Sequence, residues 1–379
     1  MLCDKEDNME EKNTEPAVEE QETRQDEATA NGSNQAKQEK RWKKPLIITL
    51  IVIGVLAVSI FIYSDYLLNK IHYDKDNGQN RQEYFDQDEN AEGLDEVDPN
   101  DVVWQGKLLA RHEEDVINIL LVGEEAILDG GHRGRTDSIM IATINVKQKT
   151  LKLTSIMRDL YLQIPGYSDN KINAAFNIGG MDLLVQALNQ NFSMKLDGYV
   201  KVDFDSFEKV IDALGGVEIT LSAKEAQYLN TTNYISNPAY RNVREGKQIL
   251  NGNQALGYSR IRYVANGDQA NDFGRTQRQR TVLTALFEKY KEKNAVELLA
   301  LLPDILSLVT TDLSKTTILE YMYLAVTLHP DKLETMRIPV DEAYYAARIR
   351  EMAVLVPDTL EENVEALHGF VFGDENEES

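Results

Sequence analysis

The sequence predicts an α/β fold: a layered domain with a central mixed β-sheet flanked by helices, preceded by one transmembrane helix. Three observations carry this reading. PLIITLIVIGVLAVSIFIY, Pro45 to Tyr63, is uncharged and apolar, about the length of a bilayer-crossing helix. From Asp115 onward, short apolar runs ending in glycine or turn residues alternate with helix-like stretches, the pattern of a layered α/β domain. And although the chain carries a formal net charge of -23, five arginines crowd between Gly257 and Arg280.

Residues 1–44 are rich in Glu, Gln, Asn, Asp and Lys, too polar to offset the entropy of ordering, so a disordered cytoplasmic tail is expected. RWKK, Arg41 to Lys44, precedes the apolar run and keeps that end in the cytoplasm. A cleaved signal peptide is the alternative. A signal anchor over 45–64 suits the long preceding segment, the length of the run and the lack of an A-x-A site. The chain is then a single-pass protein of the cell membrane with everything after the anchor outside. Residues 65–102 include DQDENAEGLDEVDPND and read as an acidic, extended extracellular stalk. Residues 103–375 form the external domain, with its motif core at 116–290.

VINILLVG, Val116 to Gly123, has the apolar density of a buried strand. DSIMIATINV and TLKLTSIM read as a hairpin or adjacent strands, and AAFNIGGMDLLVQALNQNF as one or two helices through Phe192. YVKVDFDSFEKVIDALGG gives a strand and a helix stopped by Gly215 and Gly216. VEITL is another strand. GNQALGYSR is a helix capped by Asn251. RTQRQRTVLTALFEKYK is a longer helix, with Val282, Leu283, Leu286 and Phe287 on its apolar face. A further helical stretch covers Val296 to Thr327. KLETMRIPV and EMAVLVPD are late strands and NVEALHGFVF a final helix.

Composition excludes several functions. Strong negative charge argues against nucleic acid, whose binders need basic surfaces. The sole cysteine, Cys3, lies in the tail, which excludes disulfides within the chain and cysteine-based metal sites. No G-x-S-x-G elbow, phosphate loop or H-E-x-x-H spacing occurs.

The arginines therefore stand out. With an extended chain after Tyr258, Arg260 and Arg262 point to one side. On the next helix Arg275, Arg278 and Gln279 share a face near its start, where free N–H groups and the dipole also favour anions. Guanidinium forks bind phosphate oxygens in pairs, so this pattern reads as a phosphate or pyrophosphate site. Each arginine taken singly also reads as a surface ion-pair partner. A second strip, GHRGRTDSIM and SIMRDL, places Arg135 with Asp137 and Arg158 with Asp159 at predicted strand ends. That pairing suits a pyrophosphate with a divalent cation, or plain salt bridges.

The ordered series LLVGEE, GRTDSIM, SIMRDLYLQIP, KINAAFNIGG, VKVDFDSF, VIDALGGVEI, LNGNQALGYSRIRY and DFGRTQRQR resembles the LytR–CpsA–Psr family of membrane-anchored phosphotransferases in Gram-positive envelopes. The resemblance implies an Mg²⁺-dependent enzyme that moves a glycopolymer from a polyprenyl (pyro)phosphate carrier onto peptidoglycan as a phosphodiester. It makes Arg158, Arg260, Arg262, Arg275 and Gln279 pyrophosphate contacts, with Arg135 and Arg278 in support. It makes Asp137 the principal Mg²⁺ ligand and Asp272 an acidic position beside the last arginines. The second metal-associated aspartate of the family falls at Glu125, and its proline before the Arg-Asp pair is Met157 here. Asp137 and Asp159 are both candidates for the base. Helices between Met181 and Phe207 are either core or the lining of a polyprenyl tunnel. Teichoic acid, capsule and secondary polysaccharide all remain open as the glycan. The rival reading is a non-catalytic, membrane-tethered binder or sensor of polyprenyl-linked glycans.

Overall fold

The computed structural model describes residues 49, 53–55, 57–73, 82–104, 110–124, 136–267, 269 and 271–373. The chain divides into two compact units, Met1–Tyr66 and Leu67–Ser379. In the first, residues 57–66 are helical and Ile60, Phe61 and Ile62 are exposed. The tail before the apolar run, and part of the run itself, lie outside the described residues. Among the described residues no helix is long and apolar enough to cross a membrane.

The second unit is built on a seven-stranded sheet in the order β1-β10-β7-β2-β3-β4-β11. Its strands are β1 (His72–Tyr73), β2 (Val116–Glu124), β3 (Thr136–Asn145), β4 (Thr150–Ile156), β7 (Gly198–Asp203), β10 (Thr310–Thr311) and β11 (Leu333–Ile338). Three two-stranded ribbons stand apart: β5 (Tyr161–Leu162) with β6 (Asn170–Lys171), β8 (Val217–Leu221) with β9 (Gly246–Leu250), and β12 (Tyr344–Ile349) with β13 (Met352–Pro357). The helices are α1 (Ile172–Phe192), α2 (Phe204–Ala213), α3 (Ala223–Thr231), α4 (Gly252–Arg260), α5 (Asn271–Lys291), α6 (Ala295–Leu306), α7 (Lys315–Thr327) and α8 (Leu360–Phe372).

Alternation along the strands sorts the helices into two layers. Leu120, Val122, Ile139 and Ile141 share one core with α1 and α8. Leu121, Ala142 and Ile144 face the other side, toward α2, α5, α6 and α7. Pairing direction fixes where chemistry gathers. β2 is parallel to β7 and antiparallel to β3, which is antiparallel to β4. The C-terminal ends of β2, β4 and β7 and the start of β3 therefore lie along one edge, where α/β sheets bind their ligands.

The helix expected from Val296 to Thr327 is in fact α6, β10 and α7. Thr310 and Thr311 pair with β7, Asp312 Oδ1 accepts from Tyr199 N at 2.8 Å, and Ser314 caps α7 by accepting from Thr317 N. Strands β9 and β12 and helix α3 had no counterpart in the sequence reading. Gly179 and Gly180 interrupt α1, with Gly180 at φ 68, and Gly215 and Gly216 end the α2 segment at φ 87, conformations that favour glycine.

The acidic segment after residue 82 does not stand clear of the domain. Phe85, Val97, Val102 and Trp104 pack with Tyr161 and the β12–β13 ribbon, the Trp104 and Tyr161 rings stacking at 6.0 Å. Its backbone joins Arg348 through Val97 N→Arg348 O at 3.0 Å and Arg348 N→Asp95 O at 2.8 Å. Four well-spaced apolar anchors outweigh the surrounding charge, which itself finds Lys171 and Arg348.

The start of α4 abuts α2 so closely that a Cβ on Gly252 would lie 2.1 Å from the Glu208 carbonyl oxygen. Gly252→Ala should therefore destabilise by about 1–3 kcal/mol, the usual cost of overpacking. It should lower the urea midpoint at unchanged slope. A wild-type midpoint would show that α4 is not pressed against α2.

Candidate active site

Each predicted residue in the described chain can be placed. Asp137 is the second residue of β3, and Arg158 and Asp159 follow β4 in a turn closed by Leu160 N→Met157 O at 3.1 Å. Arg260 ends α4, Arg262 lies two residues on, and Asp272, Arg275, Arg278 and Gln279 occupy the first half of α5. Glu125 and Arg135 lie outside the described residues.

Asp137 Oδ1 meets Arg158 Nη1 at 2.6 Å, Arg275 Nη1 at 3.3 Å and Arg262 Nη2 at 3.6 Å. Asp272 repeats the arrangement, with Arg158 Nε at 2.9 Å and Arg275 Nη2 at 3.2 Å on Oδ2, and Arg262 Nε at 3.2 Å on Oδ1. Two carboxylates thus bridge the same three arginines. Burial alone would raise the Asp137 pKa, but Arg275, Arg158 and Arg262 outweigh it and hold the group below the usual carboxylate range. The same opposition of burial and arginine charge leaves Asp272 well below that range. Burial, with the like charge of Arg158, brings Arg275 down to about 10, and its Nε has no hydrogen-bond partner among the described residues.

Asp159 sits differently. It pairs with Arg158 Nε at 3.4 Å and with buried Lys171 Nζ at 3.1 Å, and Lys171 reaches Asp88 at 3.2 Å. Burial raises its pKa, and a hydrogen bond shared with Asp272 adds to the rise. Asp159 does not line the adjoining cavity, so it braces Arg158 from behind. Gln279 donates to the Asp137 carbonyl at 3.3 Å and steadies the start of β3.

Arg278 departs from the sequence reading. It is fully buried, pairs with Glu225 Oε1 at 2.8 Å and donates to the carbonyls of Ile261 and Val264 at 3.2 and 2.7 Å. It ties α5 to α3 and to the chain after α4, and takes no part in the cluster. The extended geometry expected after Tyr258 is corrected too, because α4 runs through Arg260. Arg260 lies over the Phe204 ring at 4.8 Å, whereas Arg262 turns to the two aspartates. Met157 is buried and its sulfur accepts from Thr276 Oγ1 at 3.4 Å, joining the Arg158 turn to α5.

A cavity of about 400 Å³ opens from the cluster. Asp137, Arg158, Arg260, Arg262, Arg275 and Gln279 give it a polar lining, and Val200, Val202, Phe204, Phe207, Leu256 and Leu283 an apolar one. A second, largely apolar cavity of about 390 Å³ shares Leu121 and Leu283 with it. Helix α1, a candidate tunnel wall in the sequence, instead lies in the core behind the sheet, with Met181, Leu184 and Leu188 buried. The apolar walls come from the far face of β2, β3, β4 and β7 and from α2, α4 and α5; among them Phe204 and Phe207 belong to the Met181–Phe207 stretch left open as core or tunnel lining. Among the described residues no group of three or more His, Cys, Asp and Glu gathers to hold a metal.

An α/β layered domain whose sheet edge presents arginines bridged by carboxylates, opening into an apolar cavity, defines a class of protein suited to an anionic head on an apolar tail. The chain belongs to the LytR_cpsA_psr family, whose model matches residues 68–365. It is 37% identical over 170 residues to the regulatory protein MsrR of Staphylococcus aureus strain COL, covering 45% of this chain and 48% of MsrR. It is 36% identical over 177 residues to the polyisoprenyl-teichoic acid–peptidoglycan teichoic acid transferase TagV of Bacillus subtilis strain 168, covering 45% of this chain and 43% of TagV. Both curated relatives are matched over less than half their length. The crystal structure of B. subtilis TagV aligns with TM-score 0.56 and 26% identity over 69% of this chain and 100% of that one. YwtF (TagT) with bound octaprenyl pyrophosphate lipid shares the fold, with TM-score 0.50 and 23% identity over 79% of this chain and 99% of that one.

Two measurements check the division of roles. Arg278→Ala strands buried Glu225 and should cost about 3–5 kcal/mol, whereas Arg262→Ala, with a side chain 31% exposed, should cost less than about 1 kcal/mol. Equal losses in urea titrations would contradict the assignment. For Asp272, a depressed folded pKa means stability that is full above the ordinary value of 3.8 and lost as pH falls through the folded value. The gap in stability between wild type and Asp272→Asn should therefore be constant near neutrality and close below pH 3.8. A gap that widens on acidification would contradict the assigned sign.

Proposed function

We propose that this protein transfers a glycopolymer from a polyprenyl (pyro)phosphate carrier onto peptidoglycan, forming a phosphodiester. One observation carries the reading: buried guanidiniums, held by two anionic carboxylates, line the same cavity as a set of apolar side chains. That arrangement matches a lipid whose pyrophosphate is the only charged part of a long apolar chain. The transferase activity in TagV's name and the octaprenyl pyrophosphate bound to TagT support it.

On binding, Arg158, Arg262 and Arg275 exchange carboxylate oxygens for phosphate oxygens, and Arg260 lines the same cavity. The acceptor hydroxyl attacks the phosphorus bonded to the glycan, and polyprenyl phosphate leaves. Phosphoryl transfer depends chiefly on positioning and charge neutralisation, so burial of the arginines in a low-dielectric site strengthens their effect. Of the two candidate bases, Asp137 lines the cavity and takes the proton of the attacking hydroxyl, whereas Asp159 serves to position Arg158.

The donor set fits Mg²⁺, a cation that takes one or two carboxylates and completes its shell with phosphate oxygens and water. Among the described residues the three ion pairs of Asp137 all fall on Oδ1, leaving Oδ2 for a cation. Asp137 would hold the ion, with Glu125, the residue after β2 in the sequence, as a further ligand. Bound there, Mg²⁺ would supply charge neutralisation at the phosphate oxygens. The apolar run Leu46–Tyr63, preceded by RWKK, anchors the chain in the cell membrane with the domain outside.

Arg158→Ala and Arg275→Ala should each weaken binding of polyprenyl pyrophosphate by about 1.5–3 kcal/mol, the worth of a charge-assisted hydrogen bond, measured by fluorescence titration. Asp137→Asn should keep much of that affinity yet lose most transfer to peptidoglycan oligomers, as the wild type should on adding EDTA. Wild-type transfer by Asp137→Asn would remove Asp137 from the metal site. Tight lipid binding without transfer by the native protein would favour the tethered-binder reading.

A further inference from the structure

The ion pairs of Arg158 do not end at the cluster; they continue away from the cavity as a line of alternating charge. Arg158 Nε meets Asp159 Oδ2 at 3.4 Å, Asp159 Oδ1 meets Lys171 Nζ at 3.1 Å, and Lys171 Nζ meets Asp88 Oδ2 at 3.2 Å. The Lys171 side chain is only 5% exposed, and a buried ammonium is tolerated only while carboxylates offset its desolvation. Of these four residues, Arg158 alone is among those that line the cavity. Lys171 is the last residue before α1, and its neighbours grip the Arg158 turn. Ile172 N donates to the Leu160 carbonyl at 2.9 Å and Asn173 N to the Arg158 carbonyl at 3.3 Å. The ammonium is therefore carried on backbone fixed to that turn.

The far end of the line belongs to the acidic segment, which is docked there by its own hydrogen bonds. Glu83 Oε1 accepts from Ser168 N at 2.6 Å, and the Tyr84 carbonyl accepts from Asn170 Nδ2 at 3.0 Å. Asp88 N donates to the Glu351 carbonyl at 3.2 Å. These contacts bring Asp88 to Lys171 across 83 residues of sequence.

The arrangement bears on phosphate binding. Arg158 has three carboxylate partners, Asp137 at 2.6 Å, Asp272 at 2.9 Å and Asp159 at 3.4 Å. A phosphate that displaces Asp137 and Asp272 leaves Asp159 as the remaining one. Burial works against an ionised Asp159, and Arg158 and Lys171 are the cations that oppose it. Shared between the two, the carboxylate makes the longest of the three contacts with Arg158. A buried carboxylate left with Arg158 alone would draw the guanidinium to itself, because attraction between charges is strong where water is excluded.

We propose that Lys171 is a positioning residue for Arg158, acting through Asp159, with Asp88 of the acidic segment as its second counter-ion. By taking part of the Asp159 charge, Lys171 keeps Arg158 turned toward the cavity and free to accept phosphate oxygens. The inference rests on the reading of Arg158 as a pyrophosphate contact.

The test is a double-mutant cycle on the full chain, with octaprenyl pyrophosphate affinity read by fluorescence titration and stability by urea unfolding. Two variants are made, each in the wild-type chain and together with Arg158→Ala. One is Lys171→Met; the other is Asp88→Asn with Lys171→Met, which leaves no stranded charge at residue 88 and so keeps the test open if the single variant does not fold. In the wild-type chain both should weaken binding several-fold, and Lys171→Arg should restore most of the affinity. With Arg158→Ala, where the remaining affinity comes from Arg262 and Arg275, neither should weaken it further. A purely structural role, or a charge felt through space, would give the same loss in both backgrounds, and that result would overturn the proposal. Wild-type affinity in the folded double variant would overturn it too. Absence of binding by the wild type, or no effect of Arg158→Ala, would overturn the pyrophosphate reading itself and the inference with it.

Discussion

The structure depends on the bridging of three arginines by two carboxylates. Arg275 is almost wholly buried and Arg158 nearly so, and a guanidinium removed from water needs an anion to offset its desolvation. Asp137 and Asp272 supply that anion, one at the open end of the β3–β4 hairpin, the other on the first turn of α5. The same pairs keep the donors fixed and close together without a ligand, so little reorganisation is needed when phosphate oxygens replace carboxylate oxygens. Neutral carboxyls could not do this, and the arginines themselves hold both aspartates ionised.

The sheet exists, for this purpose, to deliver those residues to one edge. An antiparallel β3 between parallel-running β2 and β4 puts the start of one strand beside the ends of its neighbours. That order brings Asp137 to Arg158 across 21 residues of sequence. Helix α5 then closes the edge from above, and Thr276 on Met157 and buried Arg278 on Glu225 fix its position. Arg278 thus serves the site through the helix it anchors. Two arginines three residues apart do different work because only one has a carboxylate from another helix waiting for it.

Much of this was legible in the sequence. The strand β2, the β3–β4 pair, the Asn251 cap of α4 and the two charged strips follow from apolar density, turn chemistry and charge spacing, and the gathering of Asp137, Arg158, Arg262 and Arg275 from the family resemblance. What escaped depends on partners far along the chain. The Arg278–Glu225 pair spans 53 residues, and nothing local separates it from Arg275. Arg260 was paired with Arg262 on an extended chain, although the helix GNQALGYSR ends at Arg260 itself, so the two side chains do not follow strand alternation. The acidic segment after residue 82 looked like a spacer because Phe85, Val97 and Val102 are too far apart to register as a pattern, yet they join one apolar cluster with the β12–β13 ribbon. Core and cavity wall stayed undecided between Met181 and Phe207 for a different reason: a side chain lining an empty volume and one filling a core have the same character.

The central claim is an exchange of partners at the arginine cluster, and the most direct measurement is a crystal structure of the protein with polyprenyl pyrophosphate bound. The account predicts Arg158, Arg262 and Arg275 donating to phosphate oxygens at about 2.7–2.9 Å, the range of charge-assisted hydrogen bonds, with the Asp137 and Asp272 pairs correspondingly loosened and the isoprenoid chain along Phe204, Phe207 and Leu283. A pyrophosphate held elsewhere, with the carboxylate–guanidinium bridges unchanged, would contradict it.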